Sequence, residues 1–309
     1  MKKEICLILP AVLLSLLFAC SSAPKSASSS LPSSENSSSS AASKETSSSV
    51  SSAASLPSSS AAASGKASSS QALEKAKTVN ITMPEGFALP QVAARLEAHG
   101  VCSSADFIKA SQTYDFSYYP LVAKIKSSSH RCYRLEGYLY PETYEFYLGM
   151  KPQDAVGKFL RNAESRIGTR YSYSGMTTDQ LVTLASVIER EADDPDDMKK
   201  VSSVFHNRLK AGMILQADST RDYCNKYLVP QFGSKFNQYY NTYPNRSPGL
   251  PAGPICNPGA NALYAAAHPA NTNYLYFATG TDHNYYYGAT QKDRDALMAS
   301  AGVTPLYAD

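Results

Sequence analysis

The residues best suited to acid–base chemistry are Glu189 and Glu191, at the end of a run in which Leu181, Leu184, Ala185 and Ile188 recur at helical spacing. At about 100° per residue, the two glutamates lie about 80° to either side of Leu181. Both therefore flank the apolar stripe, and periodicity does not choose between them. A carboxyl group at the edge of a core is desolvated, which raises its pKa and lets it keep a proton near neutrality. That is the state a general acid needs in order to protonate a leaving oxygen. The plain alternative is a solvated glutamate at a helix end.

The elements that must position this pair can be read from the surrounding sequence. Thr177 or Thr178 caps the helix that carries it, and a following helix holds Val201, Val204, Phe205 and Leu209 and ends near Gly212. Upstream, Val79–Met83 alternates as a strand and Pro84-Glu85-Gly86 supplies a turn. Leu89, Val92, Ala93 and Leu96 then mark a helix stopped by Gly100, and Ser103 or Ser104 caps another through Ala110. An extended segment follows, and the aromatic stretch Arg134–Phe146 reads as strand, limited by Pro141. Downstream, a short helix is expected around Ala262–Ala267, a buried strand over Asn273–Ala278 and a last helix near 291–301. Without regular strand–helix alternation the fold class is α+β. The expected organisation is a module over 78–133 followed by a mixed α+β domain over 134–309.

The chain has 309 residues and a formal charge of +3. That charge is too small, and too dispersed, to point to nucleic acid. Lys2 and Lys3 precede an apolar run from Ile5 to Ala19, so residues 1–20 read as an export signal or membrane anchor. Cys20 directly after Ala19 resembles a bacterial lipobox, which implies cleavage before Cys20 and lipidation of its sulfur. An uncleaved anchor helix and plain secretion are the other two readings. Residues 21–70 hold 26 serines and almost nothing large and apolar, so 21–77 is expected to be a disordered tether. As a random coil its mean reach is on the order of 40 Å. An exported chain permits disulfides. Pairing by neighbourhood gives Cys102–Cys132 and Cys224–Cys256, with four buried thiols as the alternative. No cysteine pair has zinc-site spacing, so neither metal nor cofactor is expected.

Several segments occur in a fixed order. Leu135–Phe146 comes first, then Leu184-Ala185-Ser186-Val187-Ile188-Glu189-Arg190-Glu191, Val204-Phe205-His206-Asn207-Arg208-Leu209 and Gly212–Thr220. Tyr240-Asn241-Thr242-Tyr243, Gly249–Gly259, Ala265-Ala266-Ala267-His268-Pro269 and Tyr274-Leu275-Tyr276-Phe277 complete the series. In this order, from about Val79 to Arg294, the chain closely resembles the MltG (YceG-like) endolytic murein transglycosylases. The 78–133 module resembles the LysM-like subdomain of some wall enzymes.

The resemblance implies a catalytic acid at Glu189, the first glutamate of its segment, with Arg190 in place of the usual lysine. It implies cleavage of the β-1,4 bond between N-acetylmuramic acid and N-acetylglucosamine within peptidoglycan glycan strands, leaving 1,6-anhydro ends. It also implies action on new strands near the membrane, beside peptidoglycan synthases. Asn207, Gln216, Asp218 and Thr220 match positions able to hydrogen-bond sugar substituents. Tyr240, Asn241 and Tyr243 match a loop suited to lining a sugar cleft, where tyrosine offers an apolar face with a polar edge. Glu136 and Glu142 match family positions too and are expected to be structural or cleft-edge groups. Ser219 replaces a usual proline, and the stretch Asp282–Thr290 is longer than usual, so His283 and Arg294 receive no role. Two further function classes stay open: a wall-binding lipoprotein without activity, and a muramidase that uses water and a second carboxylate such as Asp218.

Overall fold

The computed structural model describes residues 77–243 and 248–306. The expected signal segment, Cys20 and nearly all of the tether lie outside the described residues. The strand over Val79–Met83 forms as β1, Thr78–Thr82, and pairs antiparallel with β2, Thr143–Tyr147, so that Ile81 faces Tyr144. This pairing crosses position 133. Between the strands run α1 (Leu89–Ala98), α2 (Ser104–Thr113) and the single turn α3 (Pro120–Ala123). Ser103 caps α2 by accepting the Asp106 amide. After β2 comes α4 (Pro152–Arg166), which packs on α2.

Three helices then form the frame of the remainder. They are α5 (Thr178–Glu191), α6 (Pro195–Lys210) and, after a winding segment, α10 (Ala260–Ala267), which lies against both. The winding segment consists of α7 (Asp218–Tyr223), a π-helical turn at Cys224–Leu228, and the short turns α8 (Val229–Phe232) and α9 (Asn237–Tyr240). A two-stranded hairpin, β3 (Tyr276–Thr279) with β4 (Tyr285–Gly288), is covered by α11 (Gln291–Ser300). The architecture is mixed helix and sheet, with the helices doing most of the packing.

Several expectations are corrected. Only the end of Arg134–Phe146 is strand, because Leu135–Tyr138 turns: Gly137 has φ of +87°, and a β-carbon there would sit 2.5 Å from Pro254. Glycine is required, and the turn delivers Glu136 inward. Helix α4 was not anticipated, although Ala155, Val156, Phe159, Leu160 and Ala163 bury one face of it. The strand expected over Asn273–Ala278 begins only at Tyr276, and its partner β4 was not anticipated either. Neither expected disulfide is formed. Cys256 instead lies on the backbone of α5, its thiol donating to the Ser186 carbonyl at 3.2 Å, and the Cys132 amide donates to the Tyr240 hydroxyl. Closeness in sequence did not bring these sulfurs together.

Candidate active site

Helix α5 begins with a capping box: Thr177 accepts the Gln180 amide at 3.2 Å while the Gln180 side chain accepts the Thr177 amide at 2.9 Å. Eight consecutive residues, Leu181–Ile188, are buried, so the helix runs through the core. Its last turn emerges from the core, and there Glu189, Arg190 and Glu191 fan out. The chain reverses at once, because Asp194 caps α6 by accepting the amides of Asp196 and Asp197.

Glu189 is half-buried, and its Oε2 accepts the Gly259 amide at 3.0 Å, at the start of α10. Burial is the main reason its carboxyl is pushed up to about 7, with Glu85 and Asp193 adding to the rise. The Gly259 amide and Arg190 pull the other way without cancelling it. The β1–α1 turn closes the site from above. Gly86 lies against Glu189 and Arg190, and a β-carbon on Gly259 would collide with the Glu85 carboxylate. The turn is held there by backbone bonds between Gly86 and Asn257 and between Asn257 and Phe87.

Glu191 faces the other side and accepts the Ser219 amide at 3.3 Å. Burial again comes first in raising it to about 7, helped by Asp218 and Asp222. Arg190, between the two acids in sequence, borders a small pocket of about 30 Å³ whose walls include neither Glu189 nor Glu191. Its walls include Arg190, Gly86 on the Glu189 side, and Ser219 with Asp222 on the Glu191 side, while Lys226 and Tyr227 close it. Two carboxyl groups poised near neutrality on one helix turn can each donate a proton and take one back.

The other expected site residues separate into two groups. Asp218 and Tyr243 come together: the Tyr243 hydroxyl donates to Asp218 at 2.6 Å, and Arg221 pairs with Asp218 and lies over the Tyr243 ring. Asn241 accepts the Tyr243 amide and shapes this turn. Gln216 sits at φ of +51°, its amide donating to the Thr242 carbonyl and its side-chain oxygen 3.4 Å from Arg208. Thr220 and Tyr240, by contrast, are fully buried. Thr220 bonds to the Ala217 carbonyl and to Thr242, and the Tyr240 hydroxyl accepts the Cys132 amide. Thr220, expected to hydrogen-bond sugar substituents, and Tyr240, expected to line the cleft, instead hold the loop from inside. Asn207 spends its amide hydrogens on the carbonyls of Thr272 and Tyr274, tying α6 to the segment before β3. Glu136 is buried beneath the site, and Glu142 pairs at the surface with Arg166. Glu85 was read only as a turn residue; its neighbour Gly86 and the Gly249–Gly259 segment were the signals that could have found it.

The model of the YceG-like family matches residues 58–299. An endolytic murein transglycosylase of Bacillus subtilis is 32% identical over 228 residues, covering 70% of this chain and 63% of that protein. One from Streptococcus pneumoniae is 28% identical over 244 residues, covering 71% of this chain and 44% of its own length. The chain thus spans less than two thirds of these relatives. A crystal structure of a yceG-like protein from Listeria monocytogenes superposes with a TM-score of 0.59 at 30% identity, covering 71% of this chain and 75% of that one. With a family model matched over residues 58–299, most of the chain, the chain belongs to the YceG-like family.

Proposed function

We propose that the protein is an endolytic lytic transglycosylase of peptidoglycan, with Glu189 as its acid–base catalyst. The observation that carries this reading is a half-shielded carboxyl raised to about 7, held by one backbone amide where α5 emerges from the core. In the reaction, the Glu189 proton passes to the oxygen bridging N-acetylmuramic acid to N-acetylglucosamine as the C1–O bond breaks. The O6 hydroxyl of the muramic residue attacks C1, and its proton returns to the Glu189 carboxylate. No water is consumed, and the product ends in a 1,6-anhydro ring. Most glycosidases need a second carboxylate to attack or to activate water. Here the nucleophile belongs to the sugar being cleaved and is already held near C1, so orientation replaces activation.

A hydrolytic muramidase is the second reading, and Glu191 favours it, since a second carboxyl raised to about 7 lies on the same turn. Asp218, the earlier candidate for that role, is engaged by Arg221 and Tyr243. Incubation of the purified chain with uncrosslinked glycan strands, followed by mass spectrometry, separates the two. Anhydro-muramic ends are the expected product. Reducing ends, heavier by one water, would replace this reading with hydrolysis, and intact strands would leave a binding protein.

Two placements accompany the proposal. The segment expected over 78–133, closed by its β1 pairing with β2, serves as a LysM-like wall-binding module, supported by the order strand, helix, helix. A catalytically dead chain should then still sediment with insoluble peptidoglycan, and failure to do so would remove the module's role. Cys20 carries a lipid that keeps the enzyme on the outer face of the membrane, beside the synthases that extend new strands. This rests on the Leu17-Phe18-Ala19-Cys20 sequence. Cys20→Ala should abolish labelling by radioactive fatty acid and release the protein from membranes; retained label would discard the anchor.

A further inference from the structure

The exposed turn between β1 and α1 brings a carboxylate to the catalytic corner that the proposed reaction does not use. Glu85 lies so close against Gly259 that any β-carbon there would collide with its carboxyl group. Gly259 is the same residue whose amide donates to Glu189 Oε2 at 3.0 Å. Two carboxyl groups therefore converge on one glycine from different elements, at the N-terminal end of α10. The turn is not free to swing away. The Gly86 amide donates to the Asn257 carbonyl at 3.0 Å, the Asn257 amide to the Phe87 carbonyl at 2.9 Å, and the Asn257 side chain to the same carbonyl at 2.7 Å.

Two like charges that share a site disfavour each other, so the pair holds one proton more readily than none. The burial of the two groups decides where that proton resides. Glu85 is exposed and solvated, whereas Glu189 is half-buried. Desolvation penalises the charge on Glu189 and the neighbouring Glu85 carboxylate adds to that penalty, so Glu189 keeps its proton more readily.

We propose that Glu85 is a positioning residue for Glu189: its carboxylate, seated on Gly259, keeps the proton on Glu189 until the glycosidic oxygen takes it. This rests on the transglycosylase reading for its use, though not for its electrostatics. The other charged and titratable groups facing Glu189 are Asp193 from the α5–α6 turn, Arg190 on its own helix and the buried Cys256 thiol. Asp193 acts in the same direction as Glu85, and Arg190 opposes both. On its other side Glu85 faces Tyr140.

The test is the pH profile of kcat/KM on uncrosslinked strands for the whole chain, with Glu85→Gln and Glu85→Asp. Loss of the charge makes Glu189 more acidic, so the alkaline limb of Glu85→Gln should move to lower pH. A move of about half a unit lowers activity roughly threefold well above the midpoint. Glu85→Asp, which keeps the charge, should stay close to wild type. A merely structural turn residue would lower activity equally at all pH values. The second readout is independent of turnover: the Glu189 side-chain carbon is titrated by NMR in labelled protein. Its midpoint should fall in Glu85→Gln, and an unmoved midpoint overturns the proposal. If wild type does not cleave strands, the functional reading fails and this titration alone decides the coupling.

Discussion

Glu189→Gln is expected to remove strand cleavage, by on the order of a thousandfold or more, because the substitution deletes the group that gives one proton and takes back the other. The amide keeps the size of the carboxyl and can still accept from the Gly259 amide, so binding and fold should survive. Stability makes a second, signed expectation. The folded-state carboxyl is raised to about 7, above its ordinary value of 4.5. A raised carboxyl stabilises the fold fully below its unfolded pKa, and this contribution is lost as pH climbs through the folded value. Wild type should therefore lose part of its stability between about pH 4.5 and 7 through this group, and Glu189→Gln should lose less. The alkaline limb of wild-type activity should also lie near pH 7, where the acid loses its proton. Thermal melting at pH 5 and 8, alongside product analysis, checks both. Full activity in the glutamine variant would falsify the assignment, and the same test on Glu191→Gln would then show whether its neighbour on the same turn had been mistaken for it.

That ambiguity between neighbours shows where sequence reasoning stopped. Periodicity put Glu189 and Glu191 symmetrically about the apolar stripe, and in the fold both are raised to about 7, mainly by burial. Their environments differ in what faces them, Gly259 and Glu85 for one and Ser219 with Asp218 for the other, and those groups come from segments 27 to 104 residues away. Local pattern carries no such information; only the resemblance to a family distinguished the two. The helix caps were legible for the opposite reason. Thr177 and Ser103 bond to amides three residues ahead, so spacing alone narrowed each cap to two adjacent residues, of which the fold uses the first. Thr220 and Tyr240 lie inside, away from substrate, and a resemblance between segments does not say which side chains of a loop face inward. Their hydroxyls turned out to be the internal ties that let a segment of short turns keep one shape.

Glu136 carries the largest expected effect on stability. It is completely buried, and its carboxyl accepts the Leu89 amide at 2.8 and 3.0 Å and the Tyr223 hydroxyl at 3.0 Å, with the Asn257 side-chain amide at 3.5 Å. One side chain thus ties the start of α1, the end of α7 and the loop that supports the catalytic corner. Glu136→Ala leaves these donors buried without an acceptor, each worth about 1–3 kcal/mol, so a total loss of roughly 3–5 kcal/mol is expected. Burial is also the main cause that pushes this carboxyl up to about 8, against the hydrogen bonds and the Arg131 charge that lower it. The folded value lies above the unfolded one, so its stabilising share is complete below about pH 4.5 and fades as pH rises to 8 and beyond. Glu189 and Glu191 have already given up most of theirs by pH 7.5, which leaves Glu136 as the carboxyl still titrating from there to 8.5. Glu136→Gln, neutral at every pH, should be flat over that interval where wild type declines by on the order of 1 kcal/mol. Urea midpoints at pH 7.5 and 8.5 measure the difference. Parallel slopes in the two proteins would mean that the buried acid is already ionised in the folded state, and that its three donors hold a charge and not a proton.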